Sequence, residues 1–283
     1  MMLTTPHDKE VAVRETEKYL LGFEQADCPV YHRFGPGIYI REVHLPANAF
    51  VMGHAQRYEH VNIFLKGAVA MVNDAGVVEI KRAPLFYIGK PGRKVGYVVE
   101  DVVWQNVYAT EERDIDALEE MFFEKSESWH EADSSQADRS RLESERDRVD
   151  YALFCTQIGM TDEKIREQSE NDEDQIRMPD GAAPKFTVRK SHIQGLGAFA
   201  SAPIKSGEVI APARLRGKRT PAGRYVNHSP VPNAVFERHE NGDIYLVACA
   251  DISGCKGGDR GQEITVDYRQ ALSLSGIRIE GLL

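Results

Sequence analysis

The sequence predicts a mainly β protein in which two β domains are joined by a charged linker with short helices. Short runs rich in Val, Ile, Tyr and Phe fill residues 30–108, similar runs return from residue 185, and a polar stretch separates them. The 283 residues are enough for two modest domains. We therefore assign residues 1–28 to an N-terminal helix, 29–123 to a first β domain, 124–184 to the linker and 185–283 to a second β domain.

The N-terminal half contains one predicted helix and seven predicted strands. Residues 8–25 have apolar members at helical spacing, and the runs that follow are GIYIREVHL, FVMGH, HVNIFLKGAVAMV, GVVEI, LFYI, KVGYVVE and VVWQNVYA. Turn residues such as Pro and Gly lie between these runs. Closely spaced short strands of this kind predict an antiparallel sandwich or a small β-barrel.

The linker and the C-terminal third differ sharply in composition. ESWHEADSSQADRSRLESERDRVD is polar and charge-dense, which predicts an exposed segment. DYALFCTQIG and TDEKIREQSE are predicted to be two short helices, the second with acids in its first turn. The runs KFTVRKS, GLGAFAS, GEVIAPA, AVFERHE, IYLVACA and EITVDYR then predict the second β domain.

Composition excludes several classes of function. The net charge is −9 and no Lys/Arg cluster stands out, so we expect no nucleic-acid partner and favour a basic or lysine-bearing protein. The four cysteines are scattered without a CxxC pair, which argues against a disulfide framework and a structural zinc site. No apolar run approaches the ~20 residues of a membrane span, and MMLTTPHDKE lacks the pattern of a signal peptide. We therefore expect no membrane partner and a cytoplasmic protein.

Three motifs of the last hundred residues carry the functional prediction. They are GLGAFA at 195–200, RYVNHS at 224–229 and EITVDY at 263–268. In this order they resemble the SET-domain family of protein (lysine) methyltransferases, over residues 187–269. The resemblance implies a SET-type β domain in which the second and third motifs meet in a knot-like crossing.

The resemblance also implies roles for individual residues. S-adenosylmethionine is the implied cofactor, contacted through the backbone by Gly195, Leu196 and Gly197. Its methionine and adenine parts would be held by Arg224, Tyr225, Asn227 and His228. Tyr268 would face the transferred methyl group as the catalytic residue.

The chemistry of methyl transfer agrees with these residue types. Transfer from a sulfonium is an in-line displacement that depends mostly on alignment. The attacking lysine amine must be neutral, and a poorly solvated channel beside a positive sulfonium favours that form. Several departures from the family are visible. Only APARLRGKRTPA bridges the GEVI strand and the second motif, Pro230 stands where Cys is usual, no cysteine cluster follows Tyr268, and the loop SGCKGGDRGQ before EITVDY is longer than usual.

The first β domain resembles a cupin-like small β-barrel found in phage-encoded proteins, through GHAQRYEHVNIFLKG and APLFYIGKPGRKVGYVVEDVVWQNVYA. Metal-binding cupins use histidines at positions that Gln56 and Tyr108 occupy here. A weak metal triad of His54, Glu59 and His60 stays open. The favoured interpretation is a metal-free barrel kept for packing or assembly.

The sequence thus supports an ordered set of functions. The leading hypothesis is S-adenosylmethionine-dependent methyl transfer to a lysine of a protein substrate, with the barrel aiding assembly or substrate delivery. The alternative is a non-catalytic structural or adaptor protein of a phage particle, and a metal-dependent cupin enzyme ranks third. A homodimer through the barrel is expected by analogy, in the host cytoplasm or the virion if the chain is phage-encoded.

Overall fold

The computed structural model describes residues 6–72, 77–179, 184–258 and 260–274. The chain divides into two compact units: the first contains residues 1–139 with 256–259, and the second contains residues 140–255 and 260–283. The sequence places residues 256–258 in the second domain, but in the structure they pack within the first unit. There, Arg41 Nη2 donates to Gly258 O at 2.7 Å. No helix in the described ranges is long and apolar enough to cross a membrane.

The first unit is built mainly from strands. Its described elements are α1 (Pro6–Leu21), β1 (Val30–Gly35), β2 (Ile38–Leu45), β3 (Phe50–Met52), β4 (Ala55–Gln56), β5 (His60–Val72), β6 (Val78–Arg82), β7 (Leu85–Gly89), β8 (Val95–Ala109), α2 (Ile115–Phe122) and β9 (Phe123–Glu124). Neighbouring strands follow the order β1-β2-β8-β5-β6, with β3 on β8, β7 on β5, and β4 paired with β9. Every pairing is antiparallel, as the sequence predicts.

Strand β8 corrects one prediction, since the sequence divides it into two strands near Glu100 and Asp101. The structure keeps 15 residues in one strand, paired along its length with β5. The register shifts between Phe64 and Val69 let both strands bend together without separating. Gly67 makes the bend possible: its φ is 82°, and a Cβ there would lie 2.1 Å from Asp101 O.

The core of the first unit comes from alternate residues of these strands. Tyr39, Phe64, Val98 and Leu118 are each fully buried. Each such side chain contributes about 1.5–3 kcal/mol to folding by leaving water. Helix α2 supplies Leu118, and it begins where the Asp114 carboxylate accepts a hydrogen bond from Ala117 N at 2.9 Å.

The linker contains a longer helix than predicted. Helix α3 (Glu127–Ile158) spans 32 residues. It contains the polar stretch that the sequence predicts to be exposed linker, and it also contains the first of the two predicted short helices. Glu, Arg and Ala are good helix formers, so high charge density does not prevent a helix. Helix α4 (Asp162–Ser169) is confirmed where it was predicted, and a 3₁₀ turn follows at Asp172–Asp174.

The second unit contains two four-stranded sheets. After residues 140–158 of α3 and after α4, its described elements are β10 (Phe186–Lys190), β11 (Leu196–Ala200), β12 (Val209–Leu215), β13 (Lys218–Arg219), α5 (Pro221–Arg224), β14 (Asn227–His228), β15 (Ala234–Arg238), β16 (Ile244–Ala248), β17 (Glu263–Val266) and α6 (Tyr268–Leu274). The strand orders are β10-β11-β17-β14 and β13-β12-β16-β15. Ala198, Leu246 and Ile264 lie at the centre of the shared core with no exposed surface.

Candidate functional site

The three sequence motifs meet in the sheet β10-β11-β17-β14. Strand β17 pairs antiparallel with β11, with Ala198 opposite Ile264. On its other side it pairs in parallel with β14, with Asn227 opposite Thr265 and His228 opposite Val266. Parallel neighbours cannot be joined by a tight turn, so these two segments come together only through the fold.

Asn227 is the side chain that ties the motifs together. It is buried, and its Nδ2 lies 3.1 Å from Gln194 O, 3.2 Å from Leu196 O and 2.8 Å from Glu263 Oε1. An amide has only two N–H protons, so these three acceptors share them. Within the described part of the chain, no donor reaches Asn227 Oδ1, which leaves that oxygen as an acceptor.

Glu263 belongs to the third motif, and its carboxylate accepts a hydrogen bond from the Asn227 amide. Burial raises the pKa of its carboxyl, and the hydrogen bonds from Asn227 and Ser191 only partly oppose that rise. Ser191 Oγ lies 2.8 and 2.9 Å from the two carboxylate oxygens. The carboxylate can lie here only because residue 197 is glycine, since a Cβ at that position would lie 2.2 Å from Glu263 Oε1.

The other predicted cofactor residues lie at or near the same turn. Gly195 adopts a φ of 50° where the β10–β11 hairpin reverses, and Leu196 is 42% exposed beside it. Arg224 and Tyr225 end helix α5, with the Arg224 guanidinium 5.2 Å from the centre of the Tyr225 ring. Among the described residues, the side chains of Arg224 and Tyr225 make no hydrogen bond to Asn227 or His228.

His228 has a hydrogen-bond partner on each of its ring nitrogens. Its Nδ1 accepts a hydrogen bond from the Tyr268 backbone N–H at 3.1 Å, which leaves Nε2 to donate to Asp150 Oδ2 at 2.7 Å. The same carboxylate oxygen accepts from Arg269 Nη1 at 2.6 Å. Burial alone would raise the pKa of Asp150, but the hydrogen bonds from Arg269 and His228 outweigh it and lower that pKa.

The Tyr268 side chain lies within an aromatic cluster. Its hydroxyl donates to Val226 O at 2.9 Å. The rings of His228, Phe154 and Tyr151 have centroids 5.3, 5.7 and 6.0 Å from that of Tyr268. Burial raises the pKa of the phenol, so it stays protonated at neutral pH.

Sequence reasoning missed the contribution of helix α3. Asp147 Oδ1 accepts from Ser229 Oγ at 3.0 Å, and Phe154 stacks on His228 with ring centroids 5.8 Å apart. Tyr151, Phe154 and Cys155 fall at i, i+3 and i+4, which places them on one helix face. That spacing predicts a buried face but not the surface it packs against.

A cavity of about 560 Å³ lies beside this cluster. Its lining comes from α3, the α3–α4 turn and the turn before Gly195, and includes Tyr151, Cys155, Asp162 and Gln194. The volume falls within the roughly 300–1,000 Å³ typical of small-molecule sites. None of the eight residues predicted to bind the cofactor or act in catalysis lines it, although Gln194 is adjacent to Gly195.

The residues present nevertheless fit an S-adenosylmethionine-type ligand. Asn227 Oδ1 and the carbonyls beside it suit an ammonium group, and the neighbouring aromatic rings suit a sulfonium. Tyr151 links the two regions, because it lines the cavity and also contacts the Tyr268 ring.

The two histidines predicted as metal-ligand candidates in the first unit contact different groups. His54 packs edge-on against Trp129 at 5.3 Å, and burial with the nearby Lys125 and Arg41 charges lowers its pKa to about 4. His60 Nδ1 contacts Tyr58 O at 3.0 Å and its Nε2 contacts Lys94 Nζ at 2.8 Å. Across the described ranges, no three His, Cys, Asp or Glu side chains gather as a metal site would require.

The positions that metal-binding cupins fill with imidazoles do come together here. Tyr108 Oη donates to Gln56 Oε1 at 2.8 Å, and the Tyr108 ring stacks on His60 with centroids 5.4 Å apart. Glu59, the remaining candidate, is exposed. The Tyr108 phenol and the Gln56 amide are therefore hydrogen-bonded to each other.

A half-buried lysine, Lys94, is a further polar feature of the first unit. Lys94 Nζ lies 2.7 Å from Asn62 Oδ1, which also accepts from Trp104 Nε1 and Asn106 Nδ2. Burial lowers the pKa of Lys94 to about 8. Within the described ranges, no carboxylate lies within ion-pair distance of this amine. Neutral acceptors therefore make up its polar surroundings.

Comparison with known proteins bears on the first unit alone. No protein-family model matches the chain, and no curated protein matches its sequence. Among solved structures, a cupin with a double-stranded β-helix fold from Methanocaldococcus jannaschii is 13% identical over 29% of this chain and 80% of its own, with a TM-score of 0.26.

Two further structures give a similar result. A cupin domain from Bordetella pertussis is 10% identical over 31% of this chain and 99% of its own, with a TM-score of 0.25. An acetylacetone dioxygenase from Acinetobacter johnsonii is 10% identical over 30% of this chain and 62% of its own, with a TM-score of 0.26. These similarities to cupin structures cover about a third of the chain, and the chain's own strands make it a mainly β protein.

Proposed function

We propose that the second unit binds S-adenosylmethionine and transfers its methyl group to a lysine side chain of a protein substrate. The main support is the parallel pairing of Asn227–His228 with Thr265–Val266. That pairing joins the segments on which the SET-domain resemblance rests. The first unit then serves assembly or substrate delivery as a metal-free, cupin-like barrel.

The side chains around Asn227 support the binding step. The bound cofactor would supply an electrophilic methyl group on a positively charged sulfur. Asn227 Oδ1 and the backbone carbonyls of Gln194 and Leu196 would accept hydrogen bonds from its ammonium group. Gly197 keeps the backbone close to the Glu263 carboxylate, and the negative charge of that carboxylate favours a cationic ligand.

The aromatic cluster supports the transfer step. Tyr268, Phe154 and Tyr151 form weakly solvated surroundings in which a lysine amine loses its proton more easily. The Tyr268 phenol remains a hydrogen-bond donor because its pKa is raised. Its bond to Val226 O fixes the ring, so the contribution of Tyr268 is to orient the reacting groups.

Binding without turnover is the second candidate, and three observations favour it. The Tyr268 hydroxyl already donates to a backbone carbonyl, and α3 side chains cover His228. The cavity is also lined mainly by α3 and the segment that follows it. In this case the second unit is an adaptor that recognises a ligand or a partner and leaves it unchanged.

Calorimetric titration and a methyl-transfer assay separate the two functions. S-adenosylmethionine is titrated into the full chain, and radiolabelled methyl transfer is then measured onto proteins of a cell lysate. Asn227→Ala is expected to weaken cofactor binding at least tenfold. Tyr268→Phe is expected to retain binding within about threefold and to lose transfer.

Measurements on the unaltered chain give two further outcomes. Cofactor binding with no transfer by the unaltered chain supports the adaptor function. Failure of the unaltered chain to bind S-adenosylmethionine at millimolar concentration contradicts the methyltransferase proposal. Val231→Ala, at a position that is 66% exposed in the same unit, is the matched control and should change neither measurement.

A further inference from the structure

Four polar side chains form a row across the inner face of the sheet in the first unit. Arg41 on β2 lies opposite Asn106 on β8, and Asn106 lies opposite Asn62 on β5. Asn62 in turn lies opposite Tyr87 on β7. Register partners on neighbouring strands share one face of a sheet, and this face is the inner one because Asn62 and Asn106 are buried. We call these four residues the polar row.

Both ends of the polar row carry a buried polar atom that has no hydrogen-bond partner in the described part of the chain. These atoms are Arg41 Nε and the Tyr87 hydroxyl oxygen. Arg41 donates to Gly258 O through Nη2, which leaves its Nε–H unused. Burial raises the pKa of Tyr87 to about 12, so the phenol keeps its proton at neutral pH. Buried polar groups are rarely left unpaired, and each end therefore offers a donor to a ligand.

The middle of the polar row has more donors than acceptors. Asn62 Oδ1 accepts from three groups: Lys94 Nζ at 2.7 Å, Trp104 Nε1 at 3.0 Å and Asn106 Nδ2 at 2.9 Å. A carbonyl oxygen has only two lone pairs, so these donors share them. A ligand that brings acceptor atoms therefore suits this position better than one that brings donors.

Two positive charges face the polar row without a negative partner. In the described part of the chain, the polar partners of Arg41 and Lys94 are neutral groups. The neighbouring Arg93, by contrast, forms an ion pair with Glu17 at 2.7 Å. Arg41 and Lys94 are half-buried, so solvent reaches them although the two asparagines between them are buried. Charges that are partly removed from water attract an anion more strongly than exposed charges do.

We infer that the polar row binds a small organic dicarboxylate, with one carboxylate at Arg41 and the other at Lys94 and Tyr87. Lys94 Nζ lies 5.9 Å from the centre of the Tyr87 ring, so the amine and the phenol belong to one end of the site. Arg41 lies two strands away from Asn62, which is about 10 Å at the backbone. Two cations separated in this way favour two separated anionic groups over a single phosphate.

This ligand differs from the one that a metal-binding barrel would hold. A metal centre takes a cation through imidazoles and carboxylates, whereas the polar row supplies N–H and O–H donors and two positive charges. With a pKa of about 8, the Lys94 amine is still mostly protonated at pH 7. The site therefore presents both cations to an anion at neutral pH.

Calorimetric titration of the full chain with succinate at pH 7 tests this inference. Sodium chloride keeps the ionic strength constant, and S-adenosylmethionine is left out. Succinate is expected to bind with a Kd below about 1 mM. Acetate and inorganic phosphate should bind at least about tenfold more weakly, because each can contact only one of the two cations at a time.

Substitutions in the polar row separate binding from folding. Arg41→Gln and Lys94→Met each remove one cation and should each raise the succinate Kd at least about tenfold. Lys66→Met, at an exposed position on β5, is the matched control and should leave that Kd unchanged. Tyr87→Phe removes a hydroxyl that has no partner in the free chain. It should keep or raise the unfolding midpoint and still weaken succinate binding about threefold or more, a split that a purely structural role would not produce.

Three results would overturn the inference. They are no heat of binding with succinate at about 10 mM, acetate or phosphate binding as tightly as succinate, and a succinate Kd that Arg41→Gln and Lys94→Met both leave unchanged. Far-UV circular dichroism verifies that each variant is folded, and the comparison of ligands on the unaltered chain decides the matter if Arg41→Gln does not fold. None of these outcomes depends on methyl transfer, so this site is tested separately from the proposed function.

Discussion

The half-buried amine of Lys94 predicts an unusual dependence of stability on pH. Its pKa in the folded chain is about 8, compared with an ordinary value of 10.5, because burial disfavours the charged form. Between these values the unfolded chain binds more protons than the folded chain, so the free energy of unfolding rises with pH. A difference of roughly 2.5 pKa units corresponds to about 3 kcal/mol across this interval.

Replacing Lys94 by methionine should remove that rise. Lys94→Met keeps much of the side-chain volume and has no proton to lose. The difference in unfolding free energy between the unaltered chain and the variant should therefore shift by about 3 kcal/mol in favour of the unaltered chain between pH 7.5 and 10.5. The variant also leaves Asn62 Oδ1 with one donor fewer, a cost that does not vary with pH.

Urea unfolding followed by tryptophan fluorescence is the appropriate assay. Both tryptophans, Trp104 and Trp129, belong to the first unit, and Lys94 Nζ lies 5.4 Å from the Trp104 ring. Lys18→Met, at an exposed position, is the control and should follow the unaltered chain at every pH. Parallel curves for Lys94→Met and the unaltered chain would refute the reasoning, because they would mean that Lys94 titrates normally when folded.

Two further predictions concern the second unit. Gly223→Ala should lower its unfolding free energy by about 3 kcal/mol, because the new Cβ would lie 2.1 Å from Ala213 O. The unfolding of both variants is followed by circular dichroism. Gly53→Ala, in the first unit, has open space within 4 Å and should change the unfolding free energy by less than about 0.5 kcal/mol, so equal effects of the two substitutions would contradict the packing argument. Asp150→Asn should destabilise the unit at pH 7, since the lowered pKa of this carboxyl means that its ionised form stabilises the fold. That stabilisation is present above the ordinary carboxyl pKa and is lost as pH falls through the lowered one, so an unchanged acid unfolding curve would contradict it.

Local patterns predicted the strands well and the linker poorly. Alternating apolar residues and turn residues located β2, β5 and β7, because burial of one sheet face requires that alternation. The same reasoning treated residues 127–150 as exposed linker, since the sequence of that stretch is polar and charge-dense. This stretch is helical because it is rich in good helix formers such as Glu, Arg and Ala. A prediction from the pattern of hydrophobic residues does not detect that preference.

The candidate site was predicted from its motifs but not from its surroundings. The sequence indicated Asn227, His228 and Tyr268, and the structure joins them through the backbone N–H of Tyr268 and the parallel pairing of β14 with β17. Asp150 and Phe154 were missed because they lie more than 70 residues from His228 along the chain. No local pattern specifies a contact of that separation.

The sequence by itself determined the mainly β class, the position of most strands and the three motifs, because these depend on residue periodicity and turn chemistry. Only the tertiary structure decided which strands pair and which helix covers His228. Those features depend on how distant segments bury their apolar faces against each other. The energy of such packing belongs to the pair of surfaces and cannot be read from either segment alone.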